Sequence, residues 1–173
     1  MMTLVSGGAG SGKSAYAESL ILRSAAAPRI YLATMQPWGE EGRQRVERHR
    51  RLRAGKGFFT VEQPLNLTEV ELPQDSAVLL EDLSNLTANE CFGGAGFAGA
   101  EEHILKGVDT LRAQAEELVV VTNEIFSDGV TYPPETARYL DILAQLNRLL
   151  AARADRVVEV AAGIPIFWKG EKP

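Results

Sequence analysis

Short apolar runs alternate along this chain with longer segments whose apolar residues recur at helical spacing. Met2-Thr3-Leu4-Val5-Ser6, Arg29-Ile30-Tyr31-Leu32-Ala33-Thr34, Phe58-Phe59-Thr60-Val61-Glu62, Ala77-Val78-Leu79-Leu80 and Leu118-Val119-Val120-Val121-Thr122 have the length and branched, apolar content of strands. Ala15 to Leu22 begins a helix. Pro37, Trp38 and Gly39 break the chain before a polar helix predicted from about Glu40 to Arg53. A further helix is predicted from Glu101 to Glu117. Pro134 opens another that runs to about Ala154, with Leu140, Leu143, Asn147, Leu150 and Ala151 on one face. Gly93, Gly94, Gly96 and Gly99 read as a flexible loop. Val157–Ala161 and Ile164–Trp168 are joined too tightly for a crossover helix, so they predict an antiparallel hairpin at a sheet edge. No internal repeat is visible. The alternation predicts an α/β fold: a mainly parallel sheet flanked by helices, in one domain over residues 1–173.

Between the first strand and its helix lies Gly7-Gly8-Ala9-Gly10-Ser11-Gly12-Lys13-Ser14, which fits the phosphate-loop pattern G-x-x-x-x-G-K-[ST] in full. Each residue type has a physical task there. Glycines let successive backbone N–H groups turn inward around a phosphate chain. Lys13 sets one compact positive charge on the β- and γ-phosphates, and Ser14 offers a hydroxyl to Mg²⁺. The helix that follows points the positive end of its dipole at the same place. The chain is therefore expected to bind a nucleoside triphosphate.

In open α/β sheets, ligands gather beyond the carboxyl ends of the strands. Glu81 and Asp82 stand there after Ala77–Leu80, where an acidic partner for Mg²⁺ belongs. Asn123 and Glu124 end the Leu118–Thr122 strand. Their residue types fit a contact to the γ-phosphate, its metal or an acceptor hydroxyl. For all these strand-end acids the alternative is a helix cap; Glu81 is read with Ser14 as the metal pair, while Asn123 and Glu124 fit either role equally.

Composition narrows the classes. A chain of 173 residues, 45% of them hydrophobic, suits one globular core. No apolar run nears the roughly 18 residues a membrane span requires. Cys91 is the sole cysteine, which excludes an intramolecular disulfide. With the first predicted strand starting at Met2 and no leader ahead of it, the cytoplasm is the expected compartment. The net charge of −5 conceals an asymmetry. Residues 43–56 hold six arginines and Lys56 against Glu47 alone, leaving 11 of 18 basic and 22 of 23 acidic residues elsewhere. So acidic a remainder argues against nucleic acid as a partner, while the basic segment suits a compact polyanion such as a triphosphate.

His49 sits within that segment, flanked at four-residue spacing by Arg45 and Arg53. Neighbouring positive charge disfavours imidazolium, keeping the ring neutral and nucleophilic near neutral pH. A neutral histidine beside phosphates is able to attack the α-phosphorus and carry a nucleotide covalently. The residues alone also admit a plain small-molecule kinase, with an incidental His49, or a nucleotide-gated switch with a protein partner. An acid-labile protein–nucleotide adduct from an α-labelled triphosphate separates the first reading from the plain kinase, and nucleotide-dependent pull-down of another protein would mark the switch. His103 lies on the acidic Glu101–Glu117 helix and receives no role.

The order of these pieces resembles the bifunctional adenosylcobinamide kinase/adenosylcobinamide-phosphate guanylyltransferase family. The likeness runs nearly end to end. It takes in residues 7–14, Tyr31-Leu32-Ala33-Thr34, Arg45-Val46-x-x-His49-Arg50-x-x-Arg53 and Val61-Glu62-x-Pro64. Leu79-Leu80-Glu81, Val120-Val121-Thr122-Asn123-Glu124, Leu146-Asn147, Ala154-Asp155-x-Val157 and Ala162-Gly163-Ile164-Pro165 continue it. The resemblance implies a RecA-related P-loop domain, Mg²⁺ with GTP or ATP, adenosylcobinamide and its phosphate as acceptors, and a homo-oligomer, a trimer in the best-studied member. It implies that His49 becomes guanylylated, with Lys13 as the other catalytic residue. It also implies nucleotide contacts from Gly7 to Ser14, from Ala33, Thr34 and Met35, from Arg50, Arg51, Leu52 and Arg53, and from Glu62 and Glu81. Family members often carry arginine where this chain has Gly10. The stretch after Glu124 also departs from the glycine-rich version common there.

Overall fold

The computed structural model describes residues 1–36, 39, 40, 42, 44, 47, 51, 54–126 and 129–171. Seven strands form one sheet: β1 (Met2–Ser6), β2 (Arg29–Ala33), β3 (Phe58–Glu62), β4 (Ala77–Glu81), β5 (Glu117–Val121), β6 (Arg156–Ala161) and β7 (Ile164–Lys169). Their order is β3-β2-β4-β5-β1-β6-β7, parallel throughout except for the antiparallel β6–β7 hairpin. The helices are α1 (Lys13–Arg23), α2 (Leu83–Gly93), α3 (Gly96–Gln114) and α4 (Pro134–Arg153).

Both faces of the sheet are buried, which is why its central strands are continuous apolar runs rather than alternating ones. Leu4, Ile30, Leu32, Val78, Leu80, Leu118 and Val120 point to one side, against Leu83 and Leu86 of α2, Ile104 and Val108 of α3, and Leu143, Leu146 and Leu150 of α4. Val5, Tyr31, Leu79, Val119, Val121, Val158 and Val160 point to the other, against Ala17, Leu20 and Ile21 of α1. Truncating a fully buried member such as Leu79 to alanine costs about 2–5 kcal/mol.

Three expectations need correction. The glycine-rich stretch is not a loop: α2 runs through Gly93 and α3 starts at Gly96, leaving two residues between them. Burial of Leu83, Leu86, Ala100 and Ile104 outweighs the low helix propensity of glycine there. Gly107 on α3 has its own reason, since a Cβ there would come within 2.5 Å of Leu67 Cβ in the adjoining turn. The helix predicted at Glu101–Glu117 therefore starts earlier and ends at Gln114, because Glu117 already belongs to β5. On α4 the buried face is Leu143, Leu146 and Leu150; Leu140, Asn147 and Ala151 flank it, half-buried.

Of the predicted polar helix, Glu40, Gly42, Gln44, Glu47 and Arg51 are helical, and Arg51 Nε lies 3.6 Å from Glu47 Oε1 one turn away. His49, Arg50, Leu52 and Arg53 lie outside the described residues. Lys56, just past this segment, donates to Glu18 Oε2 on α1 at 2.5 Å, tying the segment's end to the helix that follows the phosphate loop.

Candidate functional site

The loop from Gly7 to Gly12 links β1 to α1 at the carboxyl edge of the sheet. Gly12 takes φ +91°, a left-handed conformation that favours glycine, and Gly163 Cα would lie 3.3 Å from any Cβ added there. No side chain caps α1, so its first amides keep their donors for a ligand. The loop is braced from two sides. Gly163 N donates to Ser11 O at 2.8 Å from the β6–β7 turn, and Glu124 N donates to Gly7 O at 3.1 Å from the end of β5. Lys13 is 9% exposed and its Nζ donates to Gly8 O at 3.2 Å, so its charge is folded over the loop's own mouth.

Register brings the acids to this edge. Ala33 pairs with Glu62 of β3 on one side and with Glu81 of β4 on the other, so these three positions stand level across adjacent strands. The Ser14 hydroxyl donates to Glu81 Oε1, joining the first turn of α1 to the end of β4. Burial pushes the Glu81 carboxyl above its ordinary value. Hydrogen bonds from the Ser14 and Tyr31 hydroxyls work against that rise, while the negative charges of Asp82 and Glu18 add to it.

A hydroxyl and a carboxylate in contact are hard oxygen donors, the set Mg²⁺ prefers, and the ion takes its remaining ligands from phosphate and water. Among the described residues no group of three His, Cys, Asp or Glu side chains is placed to hold a metal alone. The pair therefore fits a nucleotide-borne Mg²⁺ rather than a resident metal centre.

Asp82 behaves differently from its neighbour. It caps α2, with Oδ1 accepting from Asn85 N at 2.7 Å, and Oδ2 accepts from Asn123 Nδ2 at 3.1 Å. Asn123 Nδ2 also donates to Ser84 Oγ at 2.9 Å. Thr34 is fully buried: its hydroxyl accepts from Asp82 N and donates to Asp82 O, both at 2.8 Å. Thr34 N donates to Glu81 O at 3.1 Å. The buried Thr34 side chain thus fixes the backbone beneath Glu81. Asn89 Nδ2 reaches Thr34 O at 2.8 Å and Pro64 O at 3.0 Å, binding the ends of β2 and β3 to α2.

The structure thus gathers Gly7 to Ser14, Ala33, Glu62 and Glu81 at one edge. Met35 follows on, half-buried, and Arg51 is exposed. Sequence reasoning missed Asn89 and the helix after Asp82, while the capping alternative for the strand-end acids is the role that Asp82 takes. An Asp directly before Leu83-Ser84-Asn85-Leu86 was a legible helix start; nothing local marked Asn89. His103, given no role, has its Nδ1 3.0 Å from Oε2 of buried Glu90, whose Oε1 accepts from Asn66 N at 2.9 Å.

A cleft of about 580 Å³ opens beside the loop, lined by Ala9, Glu124, Ile125 and residues from the start of α4. Within it Tyr139 donates to Ser84 O at 3.3 Å, and burial pushes its hydroxyl up to about 12. Among the described residues no helix is long and apolar enough to cross a membrane.

Comparison with known proteins agrees with this geometry. A family model described as cobinamide kinase / cobinamide phosphate guanyltransferase matches residues 3–167. The bifunctional adenosylcobalamin biosynthesis protein CobU of Escherichia coli K12 is 34% identical over 187 residues, covering 98% of this chain and 100% of that protein. The corresponding protein CobP of Pseudomonas aeruginosa is 33% identical over 178 residues, covering 99% of both chains. Among solved structures, a Pyrococcus horikoshii protein superposes with a TM-score of 0.55 at 10% identity, over 99% of this chain and 87% of that one. An ATPase of a bacterial type III secretion system superposes with a TM-score of 0.51 at 11% identity, over 91% of this chain and 50% of that one. At such identities these two establish the fold alone: a mainly parallel sheet flanked by helices.

Proposed function

The chain belongs to the cobinamide kinase / cobinamide phosphate guanyltransferase family, and on that premise we propose that residues 1–173 form one domain catalysing both transfers. In the first, the side-arm hydroxyl of adenosylcobinamide attacks the γ-phosphorus of ATP or GTP. A new P–O bond forms, the β–γ bridge breaks, and a nucleoside diphosphate leaves. In the second, a His49 nitrogen attacks the α-phosphorus of GTP and pyrophosphate departs. A phosphate oxygen of adenosylcobinamide phosphate then displaces His49 from the phosphoramidate, giving adenosylcobinamide-GDP.

The observation that carries this reading is the Ser14–Glu81 contact at the mouth of a braced phosphate loop, level with Ala33 and Glu62. Lys13 and the first amides of α1 hold the β- and γ-phosphates. Ser14 and Glu81 would hold Mg²⁺, which supplies charge neutralisation of the phosphate oxygens when bound. Ala33, Met35, Glu62 and the Arg50–Arg53 segment contact the nucleoside side, with Thr34 acting from beneath through the Glu81–Asp82 backbone. The arginines around His49 keep its imidazole neutral and bind the triphosphate it attacks. Dependence on cellular triphosphates assigns the enzyme to the cytoplasm, and its family suggests a homo-oligomer, a trimer.

The test is incubation with GTP labelled at the α- or γ-position, with and without adenosylcobinamide. Both cobinamide phosphate and cobinamide-GDP are expected, together with an acid-labile protein–GMP adduct. Phosphorylation without any adduct would leave only a kinase, and neither product would remove the reading altogether.

A further inference from the structure

Beyond Ala9 of the phosphate loop and Glu124 at its rim, the cleft's walls are residues with no assigned nucleotide contact. Ala9 of the loop forms one wall, so a molecule seated there abuts the phosphate chain. Its other walls come from the end of β5 and the start of α4, on the sheet face away from α1. Ser14 and Glu81 meet on the α1 side. Anything in the cleft therefore approaches the phosphates from across the loop, opposite the metal-holding pair. A phosphoryl acceptor has to reach the γ-phosphorus roughly in line with the leaving oxygen, and a site beside Ala9 that the metal-holding pair does not obstruct leaves such an approach open.

We propose that this cleft receives the hydroxyl-bearing side arm of the acceptor, packed against Ile125, Tyr132, Tyr139 and Leu140 with the hydroxyl directed to Glu124. The proposal rests on the kinase reading above. The walls suit an arm with an apolar stem: they are largely aromatic and aliphatic, with Thr136 and Glu124 as polar points. Size decides how much of the acceptor enters. A volume of about 580 Å³ accommodates a modest ligand but not a corrin macrocycle with its amide arms. The macrocycle thus stays outside, over the exposed start of α4, where Pro133, Pro134 and Glu135 face solvent.

Glu124 is held at the right place by backbone. Its N–H donates to Gly7 O at 3.1 Å, and its Oε1 accepts from Phe126 N at 3.3 Å, fixing the carboxylate at the rim between loop and cleft. As the acceptor oxygen bonds to the γ-phosphorus and the β–γ bridging bond breaks, the hydroxyl proton passes to this carboxylate.

The proposal separates packing from chemistry, so it predicts a KM-against-kcat split in the intact enzyme supplied with GTP, Mg²⁺ and adenosylcobinamide. Leu140→Ala should raise the acceptor KM about tenfold, the loss expected when a side chain of that size no longer covers the ligand. Thr136→Trp, at a half-buried helix position, fills the cleft and should raise that KM further. The nucleotide KM should stay within about twofold in both, which also certifies folding. Glu124→Gln should lower kcat about a hundredfold with little change in acceptor KM. An unchanged acceptor KM in both packing variants overturns the site while leaving the kinase reading intact. A nucleotide KM that rises instead makes the cleft a base pocket and overturns it as well. A wild-type protein that neither retains adenosylcobinamide on gel filtration nor phosphorylates it removes the kinase reading and this proposal together.

Discussion

At the amino edge of the sheet, Asp155 Oδ2 accepts from Met2 N at 2.7 Å, and both its oxygens face Arg112 Nη2 at 3.1 and 3.2 Å. Arg112 also donates to Arg153 O, and Arg153 pairs with Asp109 at 2.9 Å. At the carboxyl edge, Glu81 has the Ser14 and Tyr31 hydroxyls for company, with the negative charges of Asp82 and Glu18 close by. The same residue class thus titrates in opposite directions. The Met2 N–H and the Arg112 charge hold Asp155 below the ordinary carboxylate range, while burial holds Glu81 above it. One edge satisfies its charges within the fold. The other keeps a buried carboxylate whose ionised form costs stability, a cost of the kind that functional sites retain.

The comparison breaks or sharpens most strongly at His49. His49→Ala should abolish the protein–GMP adduct and cobinamide-GDP formation outright while kinase activity persists, since direct γ-phosphoryl transfer needs no protein nucleophile. Detection of the adduct by acid-labile label in that variant would falsify the assignment.

Lys13→Ala should come next. It removes a charge-assisted contact of about 1.5–3 kcal/mol, so kcat/KM for both reactions should fall together by about 10- to 100-fold. Wild-type kinase activity with impaired guanylyl transfer would instead mean two separate triphosphate sites.

Glu81→Gln should weaken activity and raise the Mg²⁺ concentration required, yet raise the melting temperature of the ligand-free protein. The sign follows from the raised carboxyl: its ionised form costs stability in the fold at neutral pH, and that cost is relieved as pH falls towards its raised value. The gain of the variant over wild type should therefore be largest near neutrality and shrink in acid. Equal melting curves at every pH would show that the carboxylate carries no such cost.

Asp155→Asn should be the smallest effect and confined to stability. A pair this exposed is screened, so the expected loss is about 1 kcal/mol or less at neutral pH. Because Asp155 is held low, its contribution is present above the ordinary carboxylate range and disappears as pH drops through its folded value. Denaturation with and without GTP should give the same difference; a variant that alters the GTP KM would tie the two edges together.

Much of this was legible beforehand because it rests on local signals. Strand β3 was expected at its observed residues, and the β6–β7 hairpin within one residue at either end, since a two-residue connection permits no other pairing. Glu81 was placed at a strand end beside the phosphate loop by strand length alone. α2 was missed although Asp82 before Leu83 marked its start, and the Gly93–Gly99 cluster reads as a loop because the burial that overrides glycine's low helix propensity there is not local. Thr34 carries no sign in its neighbours that it grips a backbone 48 residues away.

The sequence by itself determined the alternation of strands and helices, the phosphate loop and the chemistry its residues imply, because periodicity and the conformational demands of glycine act over a few residues. The tertiary structure alone decided which strand-end acid becomes a helix cap and which face of α4 is buried, and it closed the expected approach of Glu81 to Ser14 into a hydrogen bond. Glu81 and Asp82 are adjacent carboxylates at the end of one strand. Register with Ala33, the grip of Thr34 and the amide of Asn85 turn one toward α1 and the other into α2. Such choices are made by partners distant in the chain, and strand pairing is what brings them within a hydrogen bond's reach.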